Sequence, residues 1–158
     1  MIYGGVIHTL PNTLASAPME TVVDITSGLI YHVKIIFPPG PSGLLHVQVF
    51  DISYQLFPTT IGASFVGDNL KMEWDEMYDK NEAPHILIVK TWNDDDTYAH
   101  DVSVLFSIVS KEEYKARYLP MMAQNVLVQS LAESEASTML ARRERVKAFM
   151  EKISAEGE

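Results

Sequence analysis

Residues 101–109 read DVSVLFSIV, and within them Val102, Val104, Phe106 and Ile108 recur at every second position. A period of two belongs to a strand with one buried face. The same period returns upstream: Tyr31, Val33, Ile35 and Phe37 are expected to share one core face, and Leu45, Val47 and Val49 another, with His46 and Gln48 turned away. In residues 86–92, Ile86, Ile88 and Trp92 oppose Leu87 and Val89. A strand apolar on both faces is expected to be central or covered by a helix, with Trp92 in the core.

Outward from these runs, β-branched and aromatic segments alternate with Gly, Pro, Asn and Asp. Strands are expected at 21–25, 30–37, 44–50, 54–57, 70–74, 85–92 and 101–109. Seven short strands at turn-like spacing predict a mainly β chain, an antiparallel β-sandwich of jelly-roll-like or immunoglobulin-like type. Pro38-Pro39-Gly40-Pro41-Ser42-Gly43 reads as a stiff loop, and Asn93-Asp94-Asp95-Asp96-Thr97 as a hairpin loop with an acidic tip. Residues 1–19, with Gly4, Gly5, Pro11 and Pro18, read as an N-terminal arm or an edge strand over 3–10. The domain proper is then 20–109.

After Val109 the period changes. Ser110 followed by Glu113 fits a capping box, so a helix is expected from 111 to about 118, where Pro120 interrupts it, and a longer one from about 120 to 153. The longer piece would run roughly 50 Å at 1.5 Å per residue. Leu119, Met122, Val126 and Leu131 form one apolar stripe on it, and Val146, Phe149 and Ile153 a second. This α-helical extension, residues 110–158, is read as the surface through which the chain associates with itself, the stripes being its interface.

Composition narrows the function classes. An apolar fraction of 47% with 21% charged residues suits a globular chain that buries a core. The absence of cysteine excludes disulfides and thiolate metal sites. The opening MIYGGVIHTLPNTL lacks the basic start and apolar run of a leader, and no segment approaches the ~20 apolar residues of a membrane helix, so no targeting signal and no membrane partner are expected. Residues 1–109 hold 4 Lys/Arg against 13 Asp/Glu, while residues 110–158 hold 8 of each. An acidic body without a basic stripe repels a phosphate backbone, which argues against nucleic-acid binding.

The chemistry-bearing residues are sparse. His32, His46, His85 and His100 are scattered without ligand spacing, and no P-loop, dinucleotide fingerprint or nucleophile elbow occurs. Asp94, Asp95 and Asp96, with Asp101 nearby, are the calcium candidates, weighed against an ordinary solvated turn. Glu73, Asp75, Glu76, Asp79 and Glu82 read as a solvated acidic loop in which a glycosidase-like carboxylate pair would need further support. Trp74, Tyr78 and Tyr98, in and beside these acidic loops, are candidate ligand-binding aromatics able to stack on a sugar or fill a partner pocket. The expectation is a non-enzymatic chain with no catalytic residue, no metal and no cofactor, and a carbohydrate-binding module is the rival reading.

Two runs carry a resemblance: YHVKIIFPPGPSGLLHVQVFDISYQLFPTT at 31–60 and WNDDDTYAHDVSVLFSIVSKE at 92–112. With their FPPGxxGL turn, QLFPTT segment and NxDDTYxH turn they resemble a small group of tailed-virus virion structural proteins, over about residues 20–112. The resemblance implies a virion component assembled in the host cytoplasm, a capsid decoration or accessory protein whose partners are its own copies and other virion proteins such as the major capsid protein. A head–tail junction or neck component is the alternative place.

Overall fold

The computed structural model describes residues 1–119 and, beyond them, residues 137, 139, 140 and 144. Among these, nine strands form two antiparallel sheets: β1 (Ile2–Thr9), β2 (Met19–Asp24), β3 (Gly28–Phe37), β4 (Leu45–Asp51), β5 (Tyr54–Phe57), β6 (Phe65–Val66), β7 (Leu70–Lys80), β8 (Ile86–Asn93) and β9 (His100–Val109). One sheet has the order β1-β9-β3-β7, and the other β2-β8-β4-β5 with β6 beside β5 on the same edge of β4. Residues 111–119 form a short helix, α1, that starts directly after Ser110. The chain divides into two compact units, Met1–Lys111 and Glu112–Glu158. The first nineteen residues therefore belong to the β unit, where β1 pairs with β9 along its whole length.

Alternation placed most of the core correctly. Val102, Val104, Phe106 and Ile108 of β9, Val33, Ile35 and Phe37 of β3, Leu45, Val47 and Val49 of β4, and Leu87 and Val89 of β8 are all buried in one cluster drawn from both sheets. The arrangement is sandwich-like, with two sheets sharing one apolar layer. β8 is central, between β2 and β4.

Three expectations fail for identifiable reasons. Tyr31 does not share the core face, because the register of β3 slips between Ile30 and His32 on both of its neighbours. A bulge inserts one residue, so Ile30 takes the buried position and Tyr31 is left half-buried. β7 does not stop at Trp74 but continues to Lys80, turning the expected acidic loop into an edge strand. Met72, Trp74 and Tyr78 face the core while Lys71, Glu73, Asp75 and Asp79 face outward, and outward charge is compatible with an edge. Residues 94–99 are not a hairpin, because β8 and β9 lie in different sheets. They form an arch from one sheet to the other.

The Pro38–Gly43 loop is also a crossing between sheets, and its stiffness has a second source. The Asp68 carboxylate accepts the Gly40 N–H at 2.7 Å and the Ser42 N–H at 3.3 Å. In the QLFPTT segment, the Gln55 side-chain amide donates to the carbonyls of Pro58, Thr60 and Ala63 and its oxygen accepts the Gly62 N–H. That motif is therefore a loop folded around its own glutamine. The buried Gln48 joins it through the Ala63 carbonyl, so Gln48, expected on the face turned to solvent or a partner, is covered by a loop of its own chain.

Gly4 has φ near +113°, and a methyl group there would lie 2.0 Å from the Val104 carbonyl oxygen. Gly4→Ala is expected to cost more than about 2 kcal/mol, read as a lowered urea midpoint. Gly5→Ala, where added carbon meets nothing within 4 Å, is expected to shift stability by less than about 1 kcal/mol. Equal midpoints for the two variants would contradict the close approach of β1 to β9.

Candidate functional site

The ends of the two sheets are tied by polar clusters, and these contain most of the candidate residues. At one end, β4 finishes at Asp51 and β7 at Lys80. Asp51 accepts the Lys80 ammonium at 2.5 Å and the Tyr78 hydroxyl at 2.7 Å, joining strands from opposite sheets. Lys80 is only 4% exposed. Burial, followed by the adjacent Asp51 carboxylate, pushes the Tyr78 phenol up to about 12. Beside this clamp, Asp79 pairs with Lys111 at the start of α1. A cleft of about 470 Å³ lies above it, lined by Asp51, Ser53, Tyr78, Lys80, Glu82 and Lys111.

Tyr78 is thus a structural donor set beneath a polar cleft. The clamp was not anticipated; its signal is Lys80, a single cation within the acidic stretch 73–82, six residues after a Trp that alternation directs inward.

The acidic arch is organised inward. Asp95 accepts the N–H groups of Tyr98 at 3.0 Å and Thr97 at 2.8 Å, and the His100 ring at 2.9 Å. These donors, in that order, hold its carboxyl below the usual range. Asn93 adds a bond to the Tyr98 carbonyl, and Asn12 bonds the carbonyls of Asp95 and Asp96, which stitches the β1–β2 connection to the arch. Asp94 turns to His46 at 3.1 Å, Asp96 accepts the Thr97 hydroxyl, and Asp101 pairs with His8. The calcium candidates therefore point to different partners, and among the described residues no group of three or more His, Asp or Glu side chains is placed to hold a metal ion.

Of the aromatics, Tyr98 is 66% exposed, while Trp74 is packed against the core with Phe57 edge-on at 5.3 Å and Phe65 at 5.4 Å. Trp74 is expected at the end of a strand beside an acidic loop; with β7 continuing to Lys80 it takes an inward position within the strand. Trp92, expected in the core, alternates with buried Thr91 and Asn93 and so lies on the other face of β8, half-buried. It stacks on His46 with ring centres 4.7 Å apart and planes 7° from parallel. The ring is further fixed by Ser64 at Nδ1, 2.8 Å, and Asp94 at Nε2. Serine, histidine and aspartate in line suggest a hydrolytic triad, but hydroxyl and carboxylate meet the opposite nitrogens from those of the serine-protease arrangement. The evident effect is to hold imidazole and indole flat together.

Two further carboxylates of the acidic stretch are also paired, Glu73 with Lys71, whose hydrogen bond holds it below the usual range, and Asp75 with His32. Of the interface candidates, Leu119 is exposed at the end of α1. Met122, Val126, Leu131, Val146, Phe149 and Ile153 lie outside the described residues. No protein-family model and no curated protein sequence matches the chain.

Two outcomes follow. Replacing Asp51 with Asn leaves the Lys80 ammonium buried beside a neutral amide, an expected loss of about 3 kcal/mol, while alkaline absorbance titration of the parent should show a tyrosine ionising near 12 that disappears in Tyr78→Phe. For Asp95, the folded state favours the ionised form, so its stabilisation is complete above the ordinary Asp value of about 4 and is lost as pH falls through the lowered folded value. Urea midpoints of parent and Asp95→Asn are expected to differ at neutral pH and to converge in acid; a pH-independent gap would show that the carboxylate is not the element holding the arch.

Proposed function

We propose that the chain is a non-enzymatic virion structural protein, a capsid decoration or accessory component whose β unit is a jelly roll displayed on the particle. Strand order carries this reading. The chain passes from one sheet to the other at every connection except β4 to β5 and β5 to β6, and the orders β1-β9-β3-β7 and β2-β8-β4-β5 are those of two interleaved Greek keys rather than of an immunoglobulin-like sandwich. Jelly rolls serve in viral capsids and in lectins. Fold alone does not choose between these uses. The resemblance of residues 31–60 and 92–112 to virion structural proteins favours the first, and so does the engagement of Asp51, Asp79, Asp94, Asp95 and Lys80 with neighbouring side chains and loop backbone.

On this reading the unit Met1–Lys111 is the displayed body. Residues 112–158, with charges of both signs and the two apolar stripes, supply contacts to further copies and to the major capsid protein or, at a neck position, to a ring of identical subunits. Many copies make weak individual contacts sufficient. Assembly takes place in the host cytoplasm and the final location is the particle.

The carbohydrate-binding alternative rests on the flat His46–Trp92 pair and the exposed Tyr98.

Light scattering on the full chain and on a chain ending at Lys111 separates the readings. A defined multimer is expected for the first and a smaller folded species, no larger than a dimer, for the second. A full chain that stays monomeric and is retained on a glycan array, with retention lost in Trp92→Ala, would overturn the virion reading in favour of a lectin.

A further inference from the structure

We propose that β1 is a self-association edge at which two copies of the chain join antiparallel, extending the β1-β9-β3-β7 sheet across a two-fold axis near Gly4 and Gly5. This contact is independent of the contacts assigned above to residues 112–158.

The hydrogen-bond phase of β1 is the first observation. Met1 and Ile108 exchange both backbone bonds: the Met1 amine donates to the Ile108 carbonyl at 2.6 Å, and the Ile108 N–H donates to the Met1 carbonyl at 2.7 Å. Bonded and non-bonded pairs alternate along an antiparallel ladder, and the register runs unbroken from Ile2↔Ser107 to Thr9↔His100. Tyr3, Gly5, Ile7 and Thr9 therefore aim their backbone groups at β9. Ile2, Gly4, Val6 and His8 aim theirs away from it, along an edge with no strand beyond it among the described residues.

The second observation is which edges are guarded. β7 carries Lys71, Glu73, Asp75 and Asp79 outward, β2 carries Glu20 and Asp24 and follows Pro18, β5 is four residues long and ends before Pro58, and β6 has two residues. Charge, proline and shortness are the usual defences against edge pairing. β1, IYGGVIHT, has eight residues with no Asp, Glu, Lys, Arg or Pro, and its Ile2 and Val6 are each 70% exposed. It is the long edge left unguarded.

The third is the self-complementarity of β1, which makes a second copy the occupant. The body holds 13 Asp/Glu against 4 Lys/Arg in residues 1–109, so two copies repel over most of their surface. β1 itself brings no carboxylate to the contact; Asp24 lies on the rim of the neighbouring cleft, and Asp101 is already paired with His8. Antiparallel pairing with Gly4 opposite Gly4 sets Ile2 of one copy against Val6 of the other on the same face, twice by symmetry, with outward backbone groups in hydrogen-bonding phase. Beside the edge, a cleft of about 330 Å³ lined by residues 4–7 and 21–24, including the exposed Val22, leaves room for the incoming strand.

Residue-resolved hydrogen exchange on the full chain tests this contact. The amides of Tyr3, Gly5, Ile7 and Thr9 should be protected at every protein concentration. Those of Ile2, Gly4 and Val6 should exchange freely in dilute solution and slow by about tenfold or more in concentrated solution. Val6→Lys, at an exposed site, should restore free exchange at these three and lower the concentrated-solution mass while leaving the thermal unfolding temperature in dilute solution unchanged; Ile2→Lys provides the same test at the other end of the pair. Free exchange at Ile2, Gly4 and Val6 at all concentrations would overturn the proposal, as would protection that survives both lysine variants. Association through residues 112–158 changes mass without protecting these amides, so the two readings fail separately.

Discussion

One layer of apolar side chains between the sheets holds the β unit together, and each strand's alternation is a consequence of serving it. Phe106, Ile108, Val33, Ile35 and Phe37 from one sheet belong to the same buried cluster as Leu45, Val47, Val49, Leu87 and Val89 from the other. An open four- or five-stranded sheet with a bare apolar face would not be stable in water; each sheet is the solvent-excluding surface for its partner. At roughly 25 cal/mol per Å² of apolar area removed from water, this layer outweighs any single polar contact in the molecule. The clamp, the arches and the loops work at its margins.

Those margins matter because of the connectivity. Six of the eight connections among the nine described strands pass between sheets, so most neighbours in a sheet are distant in sequence, as β1 and β9 are. Such pairing gains no local help and loses more chain entropy on closing. Ordering the crossings beforehand reduces that loss. Three crossings or loops show the same device: a side-chain acceptor or amide gathers backbone groups inward, Asp68 for residues 40–42, Asp95 for residues 97–98 and Gln55 for residues 58–63. The motifs FPPGxxGL, QLFPTT and NxDDTYxH are therefore folding features. Their polar residues are consumed in making turns, which separates them from a ligand site built of similar residue types.

Much of this was legible in the sequence where one rule acted alone. Period-two runs gave the correct inner faces of β4 and β9 and of β3 beyond its bulge. The bulge at Tyr31 was not legible, since an inserted residue leaves the local pattern of apolar residues plausible in either phase. β7 was cut short because charge was read as loop, although Trp74, Tyr78 and Lys80 continue an inward alternation with carboxylates on the other side. Reading 94–99 as a hairpin came from turn composition, which reports that the chain bends but not whether the next strand joins the same sheet. The aromatics are a separate case: Trp92 lies on the outward face of β8 with Ile86 and Ile88, opposite the buried Leu87 and Val89, and Trp74 lies inward on the extended β7. The stripes after Pro120 were assigned from periodicity, and among their residues only Leu119 is described.

The distribution of charge gives the molecule a direction. Carboxylates dominate the β unit, where they cap loops, answer histidines and guard β7 and β2, while the segment from 112 onward is nearly balanced in sign. A body that repels its own kind stays dispersed until a specific contact overcomes the repulsion. Two regions are relieved of it, the uncharged β1 edge and the balanced C-terminal segment. In the proposed assembly they differ in kind: the edge would offer backbone hydrogen bonds and a two-fold closure, and the segment, from its sequence pattern, apolar stripes for unlike partners. On the proposed reading, a component that pairs with itself and also attaches to something else uses two such surfaces, while the charge of the acidic body suppresses other approaches.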